Sequence, residues 1–173
     1  MGPLFSVAYG PNGPQTNVAV STVTNGGWSE CFKQEYGARL TSSEVTDIMN
    51  THCTADNIML ACRTTDSTTI QLLAWATRDC VFYDSGSSRS STKNCEGTEW
   101  YFSKTYSWGF APASRTVRRY SCDTESSDSS KRLCWHTAAS VGGWRCGSNK
   151  WLNYNNGYEK LIYQNLGEAY IYI

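Results

Sequence analysis

The residues of this chain whose types and spacing bear on chemistry are eight dispersed cysteines, two histidines and one loop that interleaves aromatic rings with amides. The stretch RLCWHTAASVGGWRCG (132–147) concentrates them, with Cys134, Trp135, His136, Trp144, Arg145 and Cys146 in sixteen positions. A zinc site needs closely spaced ligand pairs such as C-x2-C or H-x3-H, and a thioredoxin-like site needs CxxC. Neither spacing occurs. Cys31, Cys53, Cys62, Cys80, Cys95, Cys122, Cys134 and Cys146 are even in number and widely spread, which points to disulfides and an oxidising compartment.

Hairpin geometry proposes the pairing. A five-residue loop at 138–142 would set Cys134 opposite Cys146 and His136 opposite Trp144. Trp135 and Arg145 would then share the other, exposed face, the guanidinium stacking on the indole for about 0.5 to 1 kcal/mol. Cys80 and Cys95 flank a polar loop that a bridge would close, Cys31 and Cys53 bracket a helical region, and Cys62 is left to join Cys122. Each bridge is expected to contribute about 2 to 4 kcal/mol.

Catalytic readings are thin. A hydrolase would recruit His136 as base, Ser107 or Ser140 as nucleophile and Asp123 as the orienting carboxylate, but no GxSxG elbow is present. Glu96 with Glu99, or Asp123 with Glu125, would be carboxylate pairs for glycoside cleavage, a chemistry set by a separation that sequence does not give. Asp123, Glu125 and Asp128 crowd one loop without the spacing or glycine of an EF-hand. No phosphate-cradling glycine motif occurs. The expectation is a non-catalytic protein with no cofactor and no metal.

A binding surface is better supported. Seven tryptophans and eleven tyrosines are many for 173 residues, and most are expected in the core. In NKWLNYNNGY (149–158), however, Trp151, Tyr154 and Tyr158 stand among Asn149, Asn153, Asn155 and Asn156. Rings beside amides suit sugar recognition, a ring stacking under the pyranose while amides fix hydroxyls. The ligand-binding set expected is Trp135, Arg145, Trp151, Asn153, Tyr154, Asn155 and Tyr158. Arg115, Arg118 and Arg119 form the one basic cluster, which would suit sulfated or sialylated glycans.

The elements that must position these residues are mostly strands. Short runs rich in β-branched and aromatic residues (17–24, 57–63, 69–77, 80–84, 99–103, 132–137, 143–147, 158–164) alternate with Gly, Ser, Asn and Asp clusters. This spacing predicts a mainly β, antiparallel sandwich or barrel-like fold, with one or two short helices near 28–52. Leu40, Val45, Ile48 and Met49 recur at helical intervals after a capping Ser42 or Ser43. Trp28, Cys31, Phe32 and Tyr36 would line one side of a second helix. One domain is expected over 17–173, preceded by an arm at 1–16 whose LFSVAY run precedes a Gly/Pro turn.

Formal charge is zero and only 17% of residues are charged, so there is no field to collect nucleic acid or anionic lipid. No apolar run is long enough to span a bilayer. The first fifteen residues do not read as a signal peptide, and no N-x-[ST] sequon occurs.

The series YSWGFAP (106–112), SCDT (121–124), RLCWHT (132–137), GGWRCG (142–147) and YEKLIYQ (158–164), with VAVSTV, GWSECF and LACR upstream, resembles a pattern of secreted and cell-surface proteins of bacteria and microbial eukaryotes. The resemblance covers roughly residues 17–164. It implies an extracellular domain, commonly a module of larger proteins, with no catalytic residues to carry over. The expected function is extracellular recognition or adhesion, with a glycan or glycoprotein as partner. The alternative is a structural subunit that assembles into a homo-oligomer, filament or matrix through terminal strands such as AYIYI (169–173). A secreted hydrolase is the third reading.

Overall fold

The computed structural model of the chain describes residues 13–127, 130–138, 140, 142–154 and 157–166. The expected LFSVAY and AYIYI strands, and with them the reading of terminal strand exchange, lie outside these residues. Among the described residues, eleven strands form two antiparallel sheets. The first has the order β1 (Gln15–Ala19), β4 (Thr69–Thr77), β3 (Asn57–Thr64), β11 (Tyr158–Asn165), β2 (Ser29–Glu35). The second has the order β10 (Asn149–Lys150), β9 (Gly143–Cys146), β8 (Leu133–His136), β7 (Ser107–Pro112), β6 (Thr98–Phe102), β5 (Lys93–Cys95). The fold is mainly antiparallel β with short helices and four disulfides, as its composition and punctuation predict.

The main core lies between the sheets. Ile58, Leu60, Leu72 and Ile162 of the first meet Trp100, Trp108, Phe110, Leu133 and Trp135 of the second. Trp108 packs edge-on against Trp135, ring centroids 5.5 Å apart, and its indole N–H donates to the Val81 carbonyl at 2.8 Å. The outer face of the first sheet is covered around α1 (Val20–Asn25), where Val23 and Trp28 pack with Met59, Leu73, Trp75 and Tyr163. The outer face of the second is covered by the 113–127 segment, which buries Val117 and Cys122 against Tyr101 and Cys134. Strands β3, β4, β6, β7 and β11 are therefore apolar on both faces rather than strictly alternating.

The helices depart from expectation in instructive ways. α2 (Ser42–Thr51) forms where predicted, but its N-cap is Thr41. Thr41 Oγ1 accepts the Glu44 N–H at 3.2 Å while the Glu44 carboxylate accepts the Thr41 N–H at 2.8 Å, a reciprocal capping box. The same bond to the Thr41 backbone holds the Glu44 carboxyl below the usual carboxylate range. The stretch at 28–36 is strand β2 rather than a second helix, because it pairs along β11 and Cys31 is tied to Cys53 at the end of α2. The run at 17–24 splits into β1 and α1, and that at 80–84 opens with α3 (Arg78–Val81). The Arg78 guanidinium ties that turn to the end of α2 by donating to the Cys53 and Met49 carbonyls.

Two of the four bridges follow the expected pairing, Cys31–Cys53 and Cys80–Cys95. The other two are exchanged: Cys62 bonds Cys146, and Cys122 bonds Cys134. Cys62 lies on β3 and Cys146 on β9, so this bridge staples the two sheets through the core. The β8–β9 register explains the exchange. Leu133 faces Cys146 and Cys134 faces Arg145, with a bulge between Cys134 and Trp135. Adjacent residues of a strand point to opposite faces, so Cys134 is directed outward to Cys122 and Cys146 inward to Cys62.

Candidate functional site

The loop 151–154 projects its rings outward. Trp151 is 57% exposed and Tyr154 66% exposed, whereas Trp28, Trp75, Trp100, Trp108 and Trp135 are each 8% exposed or less. Two anchors fix the loop between these rings. Leu152 is buried, and its N–H donates to the Trp144 carbonyl at 3.1 Å. At the other end the Tyr154 backbone runs so close to Gly37 that a Cβ there would stand 2.3 Å from the Tyr154 carbonyl carbon. Trp151 itself adopts φ +62°, a left-handed conformation that costs a non-glycine residue free energy.

Trp151 tops a short ladder of rings. Its centroid lies 6.0 Å from that of half-buried Trp144, edge to face, and Trp144 lies 5.2 Å from His136. The Trp144 Nε1 and His136 Nδ1 atoms are buried without hydrogen-bond partners among the described residues. Burial also lowers the His136 pKa, which keeps the imidazole neutral near neutral pH. Asn153 is half-buried beside the exposed rings. Tyr158 is half-buried and packs edge-on against Tyr36 at 6.4 Å. Asn155 lies outside the described residues.

Trp135 and Arg145 do not belong to this surface, contrary to the expectation of an exposed stacked pair. Both are fully buried, on opposite faces of the sheet: Trp135 in the inter-sheet core, Arg145 under the 113–127 segment. The Arg145 guanidinium donates to the carbonyls of Gly147 at 2.9 Å, Asp123 at 2.6 Å and Ser126 at 3.0 Å. It serves as the internal post of that segment. The cause is the register shift, and its origin lies across the molecule. The Gly142 and Gly143 N–H groups donate to the Gly37 and Tyr36 carbonyls, and the Tyr36 hydroxyl donates to the Arg145 carbonyl at 2.5 Å. A Cβ on Gly142 would come within 1.7 Å of the Ala38 carbonyl oxygen, so glycine alone permits this crossing.

Two of the residues nominated for hydrolysis, Ser107 and Asp123, are engaged elsewhere. Ser107 faces His136 across β7 and β8, but its hydroxyl donates to the Arg119 carbonyl at 2.8 Å. Asp123 is buried, paired with Arg132 at 2.9 Å, and also accepts from the Arg118 N–H and the Ser126 hydroxyl. Burial acts to raise the Glu99 carboxyl, yet the Ser114 N–H, Asn94 and Thr92 outweigh it and hold it below the usual range. Glu99 thus clamps loops at the end of β6, while Glu96 is exposed. Of the three clustered arginines, Arg119 is buried, and Arg118 pairs with Glu125 at 3.4 Å. Among the described residues no group of three His, Cys, Asp or Glu is placed to hold a metal ion, and no helix is long and apolar enough to cross a membrane.

No protein-family model, curated protein or solved structure matches the chain. The resemblance to cell-surface patterns therefore gains no support from these comparisons.

Proposed function

We propose that the protein is a non-catalytic extracellular recognition domain that binds glycans through the Trp151–Tyr154 loop. The observation that carries this reading is the contrast in burial. A domain that encloses five tryptophans almost completely leaves Trp151 and Tyr154 in solvent, on a loop pinned by Leu152 and Gly37. Rings fixed in this way supply a large contact area with little conformational entropy to lose on binding. The partly buried Asn153 supplies amide donors and acceptors next to them. Four disulfides support an oxidising compartment, and with it the extracellular setting.

A glycan array probed with the wild-type protein and with Trp151→Ala/Tyr154→Ala tests the reading. The expected result is binding by the wild type that the double variant loses. Absence of wild-type binding across the array overturns it.

A further inference from the structure

A cleft of about 400 Å³ opens between the edge of the first sheet and the β9–β10 turn of the second. Its walls are Thr16 and Asn17 of β1, Thr64 and Thr69 at the β3–β4 turn, and Ser130 and Ser148. Gln71 fastens the two sides. Its Nε2 donates to the Cys146 carbonyl at 3.0 Å and to Asn149 Oδ1 at 2.9 Å, which leaves Oε1 as an acceptor that none of the described residues uses. Because Cys146 is also stapled to Cys62, the cleft is held open by a hydrogen-bonded and covalent frame. Its volume is within the range of small-ligand sites, about 300 to 1,000 Å³.

The composition of the lining selects the ligand. Every side chain in it is a hydroxyl or an amide, and none is charged or aromatic. Within the described residues, the side chains of Thr16, Asn17, Thr64, Thr69, Ser130 and Ser148 make no hydrogen bond of their own. Hydroxyls and amides both donate and accept, so they match the dual character of sugar hydroxyls. An ionic ligand would shed water there without meeting a countercharge. The cleft lacks a ring for a sugar face, but Trp151 follows Ser148 by three residues, which keeps their Cα atoms within about 11 Å.

We infer that this cleft is a subsite for one unit of an uncharged oligosaccharide whose neighbouring unit stacks on Trp151. The inference rests on the glycan-recognition reading and narrows its ligand to neutral sugars.

The test is NMR titration of the full chain with short neutral oligosaccharides (gluco-, manno-, galacto- and N-acetylglucosamine series), with sulfated oligosaccharides as a separate arm. The Trp151 indole N–H reports the platform; the Gln71 side-chain amide and the Thr16 and Thr69 backbone amides report the cleft. A neutral oligosaccharide is expected to move both sets. The variant Thr16→Val/Thr64→Val/Thr69→Val keeps β-branched shapes and removes three hydroxyls. It is expected to bind roughly tenfold or more weakly, each lost hydrogen bond being worth a factor of about two to ten. Shifts at Trp151 alone, or unchanged affinity in the valine variant, overturn the cleft subsite and leave the platform standing. Shifts in the cleft alone overturn the platform instead. Binding confined to sulfated oligosaccharides overturns the neutral class, and no response to either arm overturns both readings.

Discussion

Cys134 stands opposite Arg145 across the β8–β9 ladder, one position away from the register in which it would face Cys146. This single step sends Cys134 to the outer face of the second sheet and Cys146 into the core between the sheets. The same step sets Arg145 beside Cys134 on that outer face, where the Asp123 and Ser126 carbonyls close over it, because a slip of one residue exchanges the faces of every side chain that follows. The step is imposed by Gly142 and Gly143, which are hydrogen-bonded to the Tyr36–Gly37 backbone of the opposite layer.

The disulfide map follows directly. Peptide mapping under non-reducing conditions is expected to recover Cys62 linked to Cys146 and Cys122 linked to Cys134. Their sequence separations of 84 and 12 residues rank them in stability. Removing the Cys62–Cys146 bridge by double alanine substitution should cost about 1.5 to 2 kcal/mol more than removing Cys122–Cys134, from loop-closure entropy alone. Recovery of a Cys134–Cys146 peptide would contradict the register.

Arg145 is expected to matter for folding. Arg145→Met leaves the Gly147, Asp123 and Ser126 carbonyls without their buried donor, a loss of about 3 kcal/mol or more. Denaturant unfolding should show the midpoint fall, while ligand affinity of the remaining folded protein is preserved. A stable variant that fails to bind would restore Arg145 to the binding surface.

The β character of this chain, its α2 helix and its two local bridges were legible because each rests on neighbouring residues. Turn clusters delimit strands, apolar residues at helical spacing mark α2, and Cys80 and Cys95 close a short loop. The exposed Trp151 and Tyr154 were legible for a similar reason, since the asparagines around them mark a loop. What could not be read is everything decided by distant contacts. The Gly142–Ala38 crossing that fixes the hairpin register joins residues more than a hundred positions apart, and neither segment announces the other. The 28–36 stretch has a helical pattern of apolar residues, yet its fate is set by pairing with β11. Likewise the cleft gathers hydroxyls from both sheets that no local pattern connects.

Lys160 predicts a pH dependence. It is fully buried, its Nζ donating to Gln34 Oε1 at 2.6 Å and the Ala38 carbonyl at 2.7 Å, and burial pushes its pKa down to about 7 from 10.5, against a small opposing pull from Glu44. Below pH 7 the amine is charged in both states, and the cost of burying that charge is fully present. Above it the folded amine loses its proton while the unfolded one keeps it, so stability rises with pH. The window closes near pH 10, where buried Tyr36 and Tyr101, whose hydroxyl pKa values burial raises, act in the opposite sense. Unfolding free energy is expected to climb between pH 7 and 9.5 with a slope of at most about 1.4 kcal/mol per pH unit. Lys160→Met should flatten that slope. Parallel pH profiles for the two proteins would show that Lys160 does not titrate in this range.

Gly37 tests how the ring-bearing loop is held. Gly37→Ala would drive a Cβ into the Tyr154 backbone, so the loop must shift while the sheets remain intact. Near-ultraviolet circular dichroism is expected to change and ligand affinity to fall, with far-ultraviolet signal unchanged. Unaltered affinity would mean that the position of Tyr154 is immaterial to binding.

The most direct test of the central claim is calorimetric titration of Trp151→Ala with a glycan that binds the wild type, together with its unfolding curve. Trp151 is mostly in solvent, so its loss should change stability by no more than about 0.5 kcal/mol. As the ring on which the sugar stacks, it should cost about 2 kcal/mol or more of binding, roughly thirtyfold in affinity. An unchanged affinity in a stably folded Trp151→Ala protein would contradict the account.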